Sequence, residues 1–439
     1  MKHASSIDDL QLSRRSALKG LAVTAGLATI PGVLAACGSG SGGGNSSSAG
    51  TISFGSNYSD PAPKKAFAAL VSNAKKGTGV GITINTVDHN TFQNDITSYL
   101  QGTPNDLATW FAGYRMQYFA AQGLLAPIDD VWAKIGANFS DPVKALCKGA
   151  DGHYYFVPIY NYPWVVFYNK STFAQNGYTV PATWDDLITL AKKMQQDKLI
   201  PFAFADKDQW PALGMFDILN LRINGYDYHI SLMHNKASYT DPQVTAVFNQ
   251  WAELLPYLQN GAAGRIWQDA SKTLEAKQAG MMFQGTNQVA AQYVTDGKSL
   301  SDLSFFPFPS INPTYGQDYM DAPMDGFVLP AKAKNKDAAK KVLEYIGTGA
   351  AEAAYLKYDM WDVAVASGAS VPTYNSIQTA SVQAMSSLKA VAQFGDRDTA
   401  PPMATALETA ILSFIATPTT SNVKSLQASL AHQAKSIFG

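Results

Sequence analysis

The chain has very few cysteines. Only Cys37 and Cys147 occur in 439 residues, and Cys37 lies in a segment that we interpret below as an export signal. No disulfide can then form within the folded part, so its stability must come from packing. For Cys147, a buried and inert thiol is favoured over a catalytic nucleophile.

Charged residues are also scarce. They make up 15% of the chain, and the two signs nearly cancel to a net charge of −1. Such a chain offers no basic face for a phosphate backbone, which excludes nucleic acid as a partner. Aromatic residues, by contrast, reach 11%, which favours well-packed domains with aromatic surfaces left over for a ligand.

Several catalytic motifs are absent from the folded part. It contains no HExxH zinc motif, no GxxxxGK[ST] phosphate loop and no GxSxG nucleophile elbow. His229 and His234 have no carboxylate between them, which disfavours a metal site. We therefore predict no cofactor and no metal. A glycosidase pair of carboxylates stays open, because the sequence does not give the distance between two carboxylates.

The start of the chain predicts export and lipidation. Arg14 and Arg15 precede an apolar segment that is too short and too rich in Gly and Ala to span a membrane stably, and no later stretch is better suited. The segment ends in Leu-Ala-Ala-Cys at Cys37. This layout resembles a twin-arginine signal that ends in a lipobox. We predict a signal peptide over residues 1–37, a lipid on Cys37 and a flexible Gly/Ser linker over 38–50.

Strands and helices alternate after the linker. Apolar strands are predicted at 51–54, 81–87 and 107–111, with helices at 61–76 and about 92–102. This order predicts a parallel, doubly wound α/β sheet, in which ligands bind at the carboxyl ends of the strands. Those ends carry Asn57, Tyr58, His89, Asn90, Trp110 and Phe111.

Local signals set the expected ends of three elements. Gly77 is expected to stop the first helix. His89 and Asn90 are expected to form a polar loop, and Asn335 is expected to cap a helix that runs to Ile346.

The stretch 154–170 alternates with the period of a strand, but both of its faces are apolar, which is typical of a strand buried on both sides. Pro158 and Pro163 cannot donate ladder hydrogen bonds, so we expect two strands joined by the connector 159–162. A passage between two domains often borders a ligand crevice. The alternative is a hairpin in an ordinary core. The expected floor of the crevice is Tyr160, Tyr162 and Trp164.

A second alternation follows this passage. Thr183 and Asp186 form a capping box ahead of a helix, and Asp241 precedes Pro242 at the start of another helix. Strands are expected at 202–205 and 279–284, which indicates a second α/β domain.

A series of short motifs resembles one protein family. In chain order they are Gly102-x-Pro104-x-Asp106, Gly123-Leu124-Leu125-x-Pro127-Ile128-Asp129, Tyr168-Asn169-Lys170, Pro181-x-Thr183-Trp184-Asp185-Asp186-Leu187, and the helix 335–346. Together with the lipobox they resemble the extracellular solute-binding proteins of ATP-binding-cassette (ABC) importers, in the branch similar to maltose-binding protein, which takes up sugars. The resemblance covers about 51–439.

The resemblance implies a type II periplasmic-binding fold, in which two doubly wound α/β lobes are joined by crossing hinge strands. The expected lobes are discontinuous, 51–160 plus 326–371 and 161–325 plus 372–439. The expected crossings lie near Tyr160, at 323–327 and at 371–374.

The resemblance also implies a function without bond breaking. The protein would be a lipid-anchored, extracytoplasmic monomer that binds a sugar or oligosaccharide between the lobes. Its other partners would be integral-membrane permease subunits with their cytoplasmic ATPase. The alternatives are a surface-anchored glycoside hydrolase or esterase, and a receptor for a peptide, a polyamine or an anion.

The expected ligand-binding residues are of two kinds. Flat aromatics can stack on a sugar ring, and amides, carboxylates and guanidinium groups can pair with its hydroxyls. The aromatic candidates are Trp110, Tyr160, Trp164 and Trp361, each with ordinary core packing as the alternative. The others are Asn57, Tyr58, His89, Asp325, Asp396 and Arg397, together with Thr286 and Asn287, which stand where many sugar binders of the family have a tryptophan.

Overall fold

The computed structural model describes residues 50–369 and 373–439. The predicted signal peptide with Arg14, Arg15 and Cys37 lies outside the described residues, as do the predicted linker up to residue 49 and part of the predicted third crossing, 371–372. No helix in the described part of the chain is long and apolar enough to cross a bilayer.

The strands and helices alternate as predicted. The strands are β1 (Thr51–Ser56), β2 (Gly81–Thr86), β3 (Leu107–Phe111), β4 (Phe156–Asn161), β5 (Trp164–Asn169), β6 (Ile200–Phe202), β7 (Ala279–Gly285), β8 (Leu303–Phe306), β9 (Tyr319–Asp321), β10 (Met324–Val328) and β11 (Ala390–Ala392). The helices are α1 (Pro61–Thr78), α2 (His89–Gln101), α3 (Tyr114–Ala121), α4 (Asp129–Ile135), α5 (Asp141–Leu146), α6 (Lys170–Asn176), α7 (Trp184–Gln196), α8 (Trp210–Asn224), α9 (Tyr226–Met233), α10 (Pro242–Leu254), α11 (Trp267–Glu275), α12 (Thr286–Thr295), α13 (Lys336–Ile346), α14 (Gly349–Leu356), α15 (Ser376–Ser386), α16 (Pro401–Ala416) and α17 (Thr420–Phe438).

The first sheet has the strand order β2-β1-β3-β10-β4. Strand β1 runs parallel to β2 and β3, as the alternation predicts. Strand β10 runs antiparallel to β3 and β4, so the sheet is mixed and not purely parallel. In β10, Asp325 pairs with Phe111 of β3 and Tyr160 of β4. This register brings a carboxylate from late in the chain to the ends of two early strands.

The passage 154–170 forms two strands, but their boundary differs from the prediction. Pro158 lies inside β4, and only Tyr162 and Pro163 separate β4 from β5. The sheet accepts Pro158 because β4 is an edge strand and its register with β10 shifts between Asp325 and Gly326. An edge position removes the need for a second ladder hydrogen bond.

The second sheet has the strand order β6-β7-β5-β8. Strand β5 is antiparallel to β7 and β8, and β6 is parallel to β7. A separate pair is formed by β9 and β11. Strands β4 and β5 thus belong to different sheets, which makes the stretch between them a passage between two α/β lobes. The strand predicted at 202–205 begins earlier, at Ile200.

Three local predictions are wrong. Helix α1 continues past Gly77 to Thr78 and ends at Gly79, whose φ of 70° is left-handed. His89 begins α2 and is not in a loop, because Asp88 accepts the Thr91 N–H at 3.0 Å and caps the helix. The side chain of Asn335 makes no cap and instead donates to Asp106 Oδ2 at 3.2 Å.

Two other predictions agree with the structure. The Asp186 N–H donates to Thr183 Oγ1 at 3.3 Å, and the Thr183 N–H donates to Asp186 Oδ2 at 3.1 Å, which completes the capping box. Cys147 is fully buried. Burial raises the pKa of its thiol well above the ordinary value, so the group stays protonated and unreactive.

Candidate functional site

Two adjoining cavities lie between the lobes, with volumes of about 100 Å³ and about 30 Å³. We call them together the ligand cavity, because both are lined by His89, Trp210, Asn287, Gln288 and Asp325. Helices α2, α8, α11 and α12 all start at this cavity. Helix starts present unpaired N–H groups and favour oxygen acceptors, so the wall is suited to a polar solute.

Asn57 and His89 form the polar wall at the end of β1. The Thr109 hydroxyl donates to Asn57 Oδ1 at 2.8 Å, and the Asn57 N–H donates to Thr109 Oγ1 at 2.9 Å. These two bonds fix the amide, whose Nδ2 lies 3.3 Å from His89 Nδ1. Burial, and then the charge of Arg397, lowers the pKa of His89 to about 4, so the ring is neutral at pH 7.

Two buried ion pairs cross this region. Arg397 Nη1 lies 2.7 Å from Asp325 Oδ1, and Arg115 Nη1 lies 2.7 Å from Asp396 Oδ2. The Tyr160 hydroxyl donates to the other oxygen of Asp325 at 2.9 Å. Burial raises the pKa of Asp325, and Arg397 offsets part of that rise. The carboxylates of these pairs are therefore held in fixed directions by charge-assisted hydrogen bonds.

Asp359 and Asp362 form a second acidic group in the cavity, and neither has an ion-pair partner among the described residues. Asp359 and Asp362 are each about 1% exposed, and the Asp362 N–H donates to Asp359 Oδ1 at 3.1 Å. Neither carboxylate oxygen of Asp362 has a hydrogen-bond partner among the described residues. Burial raises the pKa of Asp359 to about 7. Burial, and then the charge of Asp359, raises the pKa of Asp362 well above its ordinary value. This direction favours a neutral carboxyl group on Asp362, which can both donate and accept a hydrogen bond.

Aromatic rings close the remaining side. Trp164 stacks on Phe394 with a centroid distance of 4.6 Å and an interplanar angle of 27°. Trp210 meets Trp164 edge-on at 6.3 Å. Within the described ranges, Nε1 of neither tryptophan has an acceptor, and neither Asn287 Oδ1 nor Gln288 Oε1 has a donor. Buried polar atoms are normally paired, so this convergence of free donors and acceptors indicates a binding site.

The structure brings ten of the twelve predicted ligand-binding residues to the cavity. Those are Asn57, Tyr58, His89, Tyr160, Trp164, Asn287, Asp325, Trp361, Asp396 and Arg397. Trp110 does not line it. This side chain is 2% exposed and packs between Phe111 and Phe119 in the core. Thr286 is also buried outside the lining, one residue before Asn287.

The sequence interpretation missed several lining residues. They are Asp60, Asp88, Asn90, Asp208, Trp210, Trp267, Gln268, Gln288, Asp359 and Asp362, of which Asn90 had been placed at a strand end without being chosen. For Trp210 a signal exists, since Pro211 marks a helix start. Asp359 and Asp362 flank the predicted Trp361. Trp210 provides an aromatic wall near Asn287, which lines the same cavity.

Residues 58–353 match the family model of the bacterial extracellular solute-binding proteins. The chain belongs to this family. Its members are binding proteins, which agrees with the resemblance drawn from the sequence motifs. Over the described residues, no cluster of side chains that could hold a metal ion occurs.

Two curated relatives match part of this solute-binding protein. An uncharacterised ABC transporter extracellular-binding protein of Pyrococcus horikoshii is 30% identical over 253 residues, 57% of this chain and 56% of the relative. A probable sugar-binding periplasmic protein of Rhizobium meliloti is 26% identical over 185 residues, 40% of this chain and 44% of the relative. The chain thus spans about half the length of these relatives.

Solved structures match over nearly the whole folded part. The bacterial solute receptor AcbH is 64% identical with a TM-score of 0.87, covers 89% of this chain and 100% of its own, and is described as having an exclusive substrate preference for β-D-galactopyranose. A chitin oligosaccharide binding protein, 21% identical with a TM-score of 0.78, covers 88% and 100%. The second match shows the fold alone. The predicted two-lobed α/β architecture is confirmed.

Proposed function

We propose that this solute-binding protein is a receptor for a single pyranose sugar, with β-D-galactopyranose as the first candidate. The observation that carries the proposal is the lining of the ligand cavity by Trp164, Trp210, Asn287, Gln288 and Asp362, each of which has a buried polar atom without a partner among the described residues. A sugar hydroxyl both donates and accepts, so it can satisfy such a mixed set. The aromatic rings supply flat apolar surface for the ring face.

A single ring is favoured over an oligosaccharide by similarity to a solved receptor and not by cavity volume, because a cavity of about 290 Å³ adjoins the ligand cavity at Asn90, Asp208 and Trp210. The 64% identity to a receptor with a preference for galactopyranose supports the same size class. The arginines, Arg115 and Arg397, are both paired with carboxylates, which disfavours an anion as the ligand.

Calorimetric titration of the mature protein tests the ligand. Galactose should bind with micromolar or tighter affinity, about −8 kcal/mol or better, and should raise the melting temperature. Glucose and a galactose disaccharide serve as comparisons for stereochemistry and length. Tight binding of the disaccharide, or no binding of any pyranose, would overturn the proposal for a single sugar.

We further propose that the receptor breaks no bond. The alternatives are a surface-anchored glycoside hydrolase and a receptor for a non-sugar solute. The same purified protein can be used to test for hydrolysis. Incubation with galactosides followed by chromatography should leave each galactoside intact. Release of a monosaccharide would replace the receptor function by hydrolysis.

Anchoring and delivery complete the proposal. The family resemblance supports the remaining parts of the proposal. The protein would be exported through Arg14 and Arg15, carry a lipid on Cys37 and be a monomer. Its lobes would be 51–160 plus 326–371 and 161–325 plus 372–439, and it would transfer the sugar to ABC permease subunits with their ATPase. Cell fractionation of Cys37→Ala should move the protein from the membrane fraction to the soluble one. Unchanged membrane attachment would remove the lipid from the proposal.

A further inference from the structure

The loop between β11 and α16 supplies three residues of the ligand cavity. We call residues 393–399 the ligand loop. Phe394, Asp396 and Arg397 of this loop line the cavity, and every residue of the loop is buried. A buried loop has to satisfy its backbone polar groups within the protein. The groups that anchor its backbone therefore decide where its three ligand-facing side chains stand.

The loop is strained at its turn. Phe394 has a φ of 98°, a value that residues other than glycine rarely adopt. Its carbonyl accepts hydrogen bonds from the N–H groups of Arg397 at 2.8 Å and Asp398 at 2.9 Å, while its ring stacks on Trp164. Such backbone strain persists only where the surroundings fix the chain, and it occurs preferentially at ligand sites.

Asp217 of α8 fixes the turn from behind. Its Oδ2 accepts the N–H of Gly395 at 2.6 Å. A Cβ built on Gly395 would lie 2.8 and 2.9 Å from the two carboxylate oxygens of Asp217 and 3.0 Å from Leu213. The carboxylate is therefore packed directly against the peptide between Phe394 and Asp396, and glycine is the residue that allows this approach.

The other anchors hold the two ends of the loop and the carbonyl of Arg397, which accepts the Arg115 N–H at 2.9 Å. The Gln393 N–H donates to Asp398 Oδ2 at 2.7 Å, and the Gln393 side chain accepts the Met324 N–H at 3.0 Å. At the far end, the Thr399 hydroxyl donates to the Met233 carbonyl at 2.6 Å. These bonds fix the path of the loop, but the turn itself is bonded to α8 through Asp217.

The surroundings of Asp217 show which of its properties matters. It is fully buried, and burial together with the neighbouring Asp321 raises its pKa. His229 Nε2 is 4.0 Å from its Oδ1, beyond hydrogen-bond distance, and burial lowers the pKa of His229 to about 3. With a neutral histidine nearby, no close cation requires a charge on Asp217. The turn requires its oxygen as an acceptor.

We propose that Asp217 is a positioning residue of the sugar site, which by accepting the Gly395 N–H fixes the turn that presents Phe394, Asp396 and Arg397 to the ligand. Asp217 does not itself line the ligand cavity among the described residues. The part of this proposal that concerns sugar affinity rests on the proposed function.

Three variants separate an acceptor role from a general effect of the buried acidic cluster. Asp217→Ala removes the acceptor and should weaken galactose binding about tenfold to a hundredfold, since it leaves a buried N–H unpaired. Asp217→Asn keeps an acceptor oxygen and should bind within about threefold of the wild type. Asp321→Asn is the matched control, because Asp321 is equally buried but donates or accepts no bond to the loop in the described chain. It should also bind within about threefold of the wild type.

Hydrogen exchange of the ligand-free protein tests the loop without any sugar. Peptides that cover 393–399 should exchange faster in Asp217→Ala and at the wild-type rate in Asp217→Asn and Asp321→Asn. If no pyranose binds the wild type, the proposed function fails while this measurement still decides the role of Asp217. Slow exchange in Asp217→Ala, or equal loosening by Asp321→Asn, would overturn the positioning role.

Gly395→Ala gives a second approach should Asp217→Ala fail to fold. The added methyl group would collide with Asp217, so this variant should also speed exchange in the loop and weaken binding. Where Asp217→Ala does fold, the double variant removes the collision with Asp217 and leaves only Leu213 at 3.0 Å, so the two effects should be less than additive. Additive effects would mean that Asp217 and Gly395 act independently, which contradicts the proposal.

Discussion

Two sets of buried carboxylates line the ligand cavity, and they differ in what faces them. Asp325 and Asp396 each lie 2.7 Å from an arginine. Asp359 and Asp362 form no ion pair within the described ranges, and the oxygens of Asp362 have no partner there. Both oxygens of Asp325 are bound within the protein, by Arg397 and by Tyr160, and Asp396 is bound through Oδ2 while its Oδ1 has no partner among the described residues. Without a cation, burial raises the pKa of Asp359 and Asp362, which favours their neutral forms. Asp325 is thus committed to the protein, whereas Asp362 keeps its hydrogen-bonding capacity for a ligand.

The paired and the unpaired carboxylates should contribute to different properties of the protein. The paired carboxylates link the ligand loop to β10 and to α3, so they hold the cavity walls together. The raised pKa of Asp359 and Asp362 favours a neutral carboxyl group, which would offer a donor and an acceptor to neighbouring hydroxyls of a sugar. Stability should therefore respond most to the paired set, and affinity to the unpaired one.

Breaking an ion pair should have the largest effect on stability. Arg397→Ala leaves the Asp325 charge buried without its partner, and we expect a loss of about 3–5 kcal/mol in the free energy of unfolding. Urea unfolding of the ligand-free protein measures it. The double variant Arg397→Met with Asp325→Leu removes both charges and should recover most of the loss. If Arg397→Ala lowers the free energy of unfolding by less than about 1 kcal/mol, this buried pair contributes no more than a weak surface pair.

Removing the free carboxyl group should have the largest effect on affinity at little cost in stability. Asp362→Ala should weaken galactose binding about tenfold to a hundredfold, because polar groups of the sugar lose a buried partner. Asp362→Asn retains one donor and one acceptor and should remain within about threefold of the wild type. Calorimetric titration compares them. Equal losses in both variants would indicate that the ligand requires a charged carboxylate.

The unpaired set also predicts a pH dependence of stability. The pKa of Asp359 is about 7 in the folded protein against 3.8 in the reference state, so the folded state binds more protons between these values. Its stabilising contribution is complete below about pH 4 and is lost as the pH rises to about 7. The charge of Asp359 in turn raises the pKa of Asp362 and of Tyr58. Calorimetric melting of Asp359→Asn should show a flatter profile than the wild type across this range, and the pKa of Asp362 should fall because the neighbouring Asp359 charge is lost.

The aromatic wall should make a smaller contribution. Trp210 is partly exposed and lies at the start of α8, so Trp210→Ala should barely lower the melting temperature. Galactose affinity should fall about threefold to tenfold, the range expected for one stacked ring. Trp110→Phe is a matched aromatic control in the core and should leave affinity unchanged. Loss of affinity in Trp110→Phe would indicate that Trp110 contributes to the ligand site.

The capping box of α7 lies away from the cavity, and its removal should have the smallest effect of these variants. Thr183→Ala removes the capping box of α7 and should cost about 1 kcal/mol of stability. Galactose affinity should not change, because Thr183 does not touch the cavity. Thr183→Ser keeps the hydroxyl and should restore the stability. Weakened binding by Thr183→Ala would show that affinity follows stability generally, which would remove the distinction between the two sets of carboxylates.

Part of the site could be predicted because strand ends are visible in a sequence. Asn57 follows β1 and Asp325 lies in the strand that returns to the first sheet, and both line the cavity. Trp110 shows the limit of this reasoning. It also ends a strand, but successive side chains point to opposite faces of a sheet, and Trp110 points to the core. Trp210 and Gln288 lie at helix starts, and Asp362 lies in a loop. At such positions the sequence does not show which way the side chain points.

The sequence by itself determined the family, the alternation of strands and helices, the passage between two sheets near Tyr160 and the capping box of α7. These features depend on local periodicity, turn chemistry and motif order, which are properties of short stretches of chain. Only the tertiary structure decided which carboxylates meet an arginine, as Asp325 meets Arg397, and which do not, as with Asp362. Pairing across long sequence separations depends on the three-dimensional path of the whole chain. In a buried site, the presence or absence of a cationic partner then decides which ionisation state of the carboxyl group is favoured.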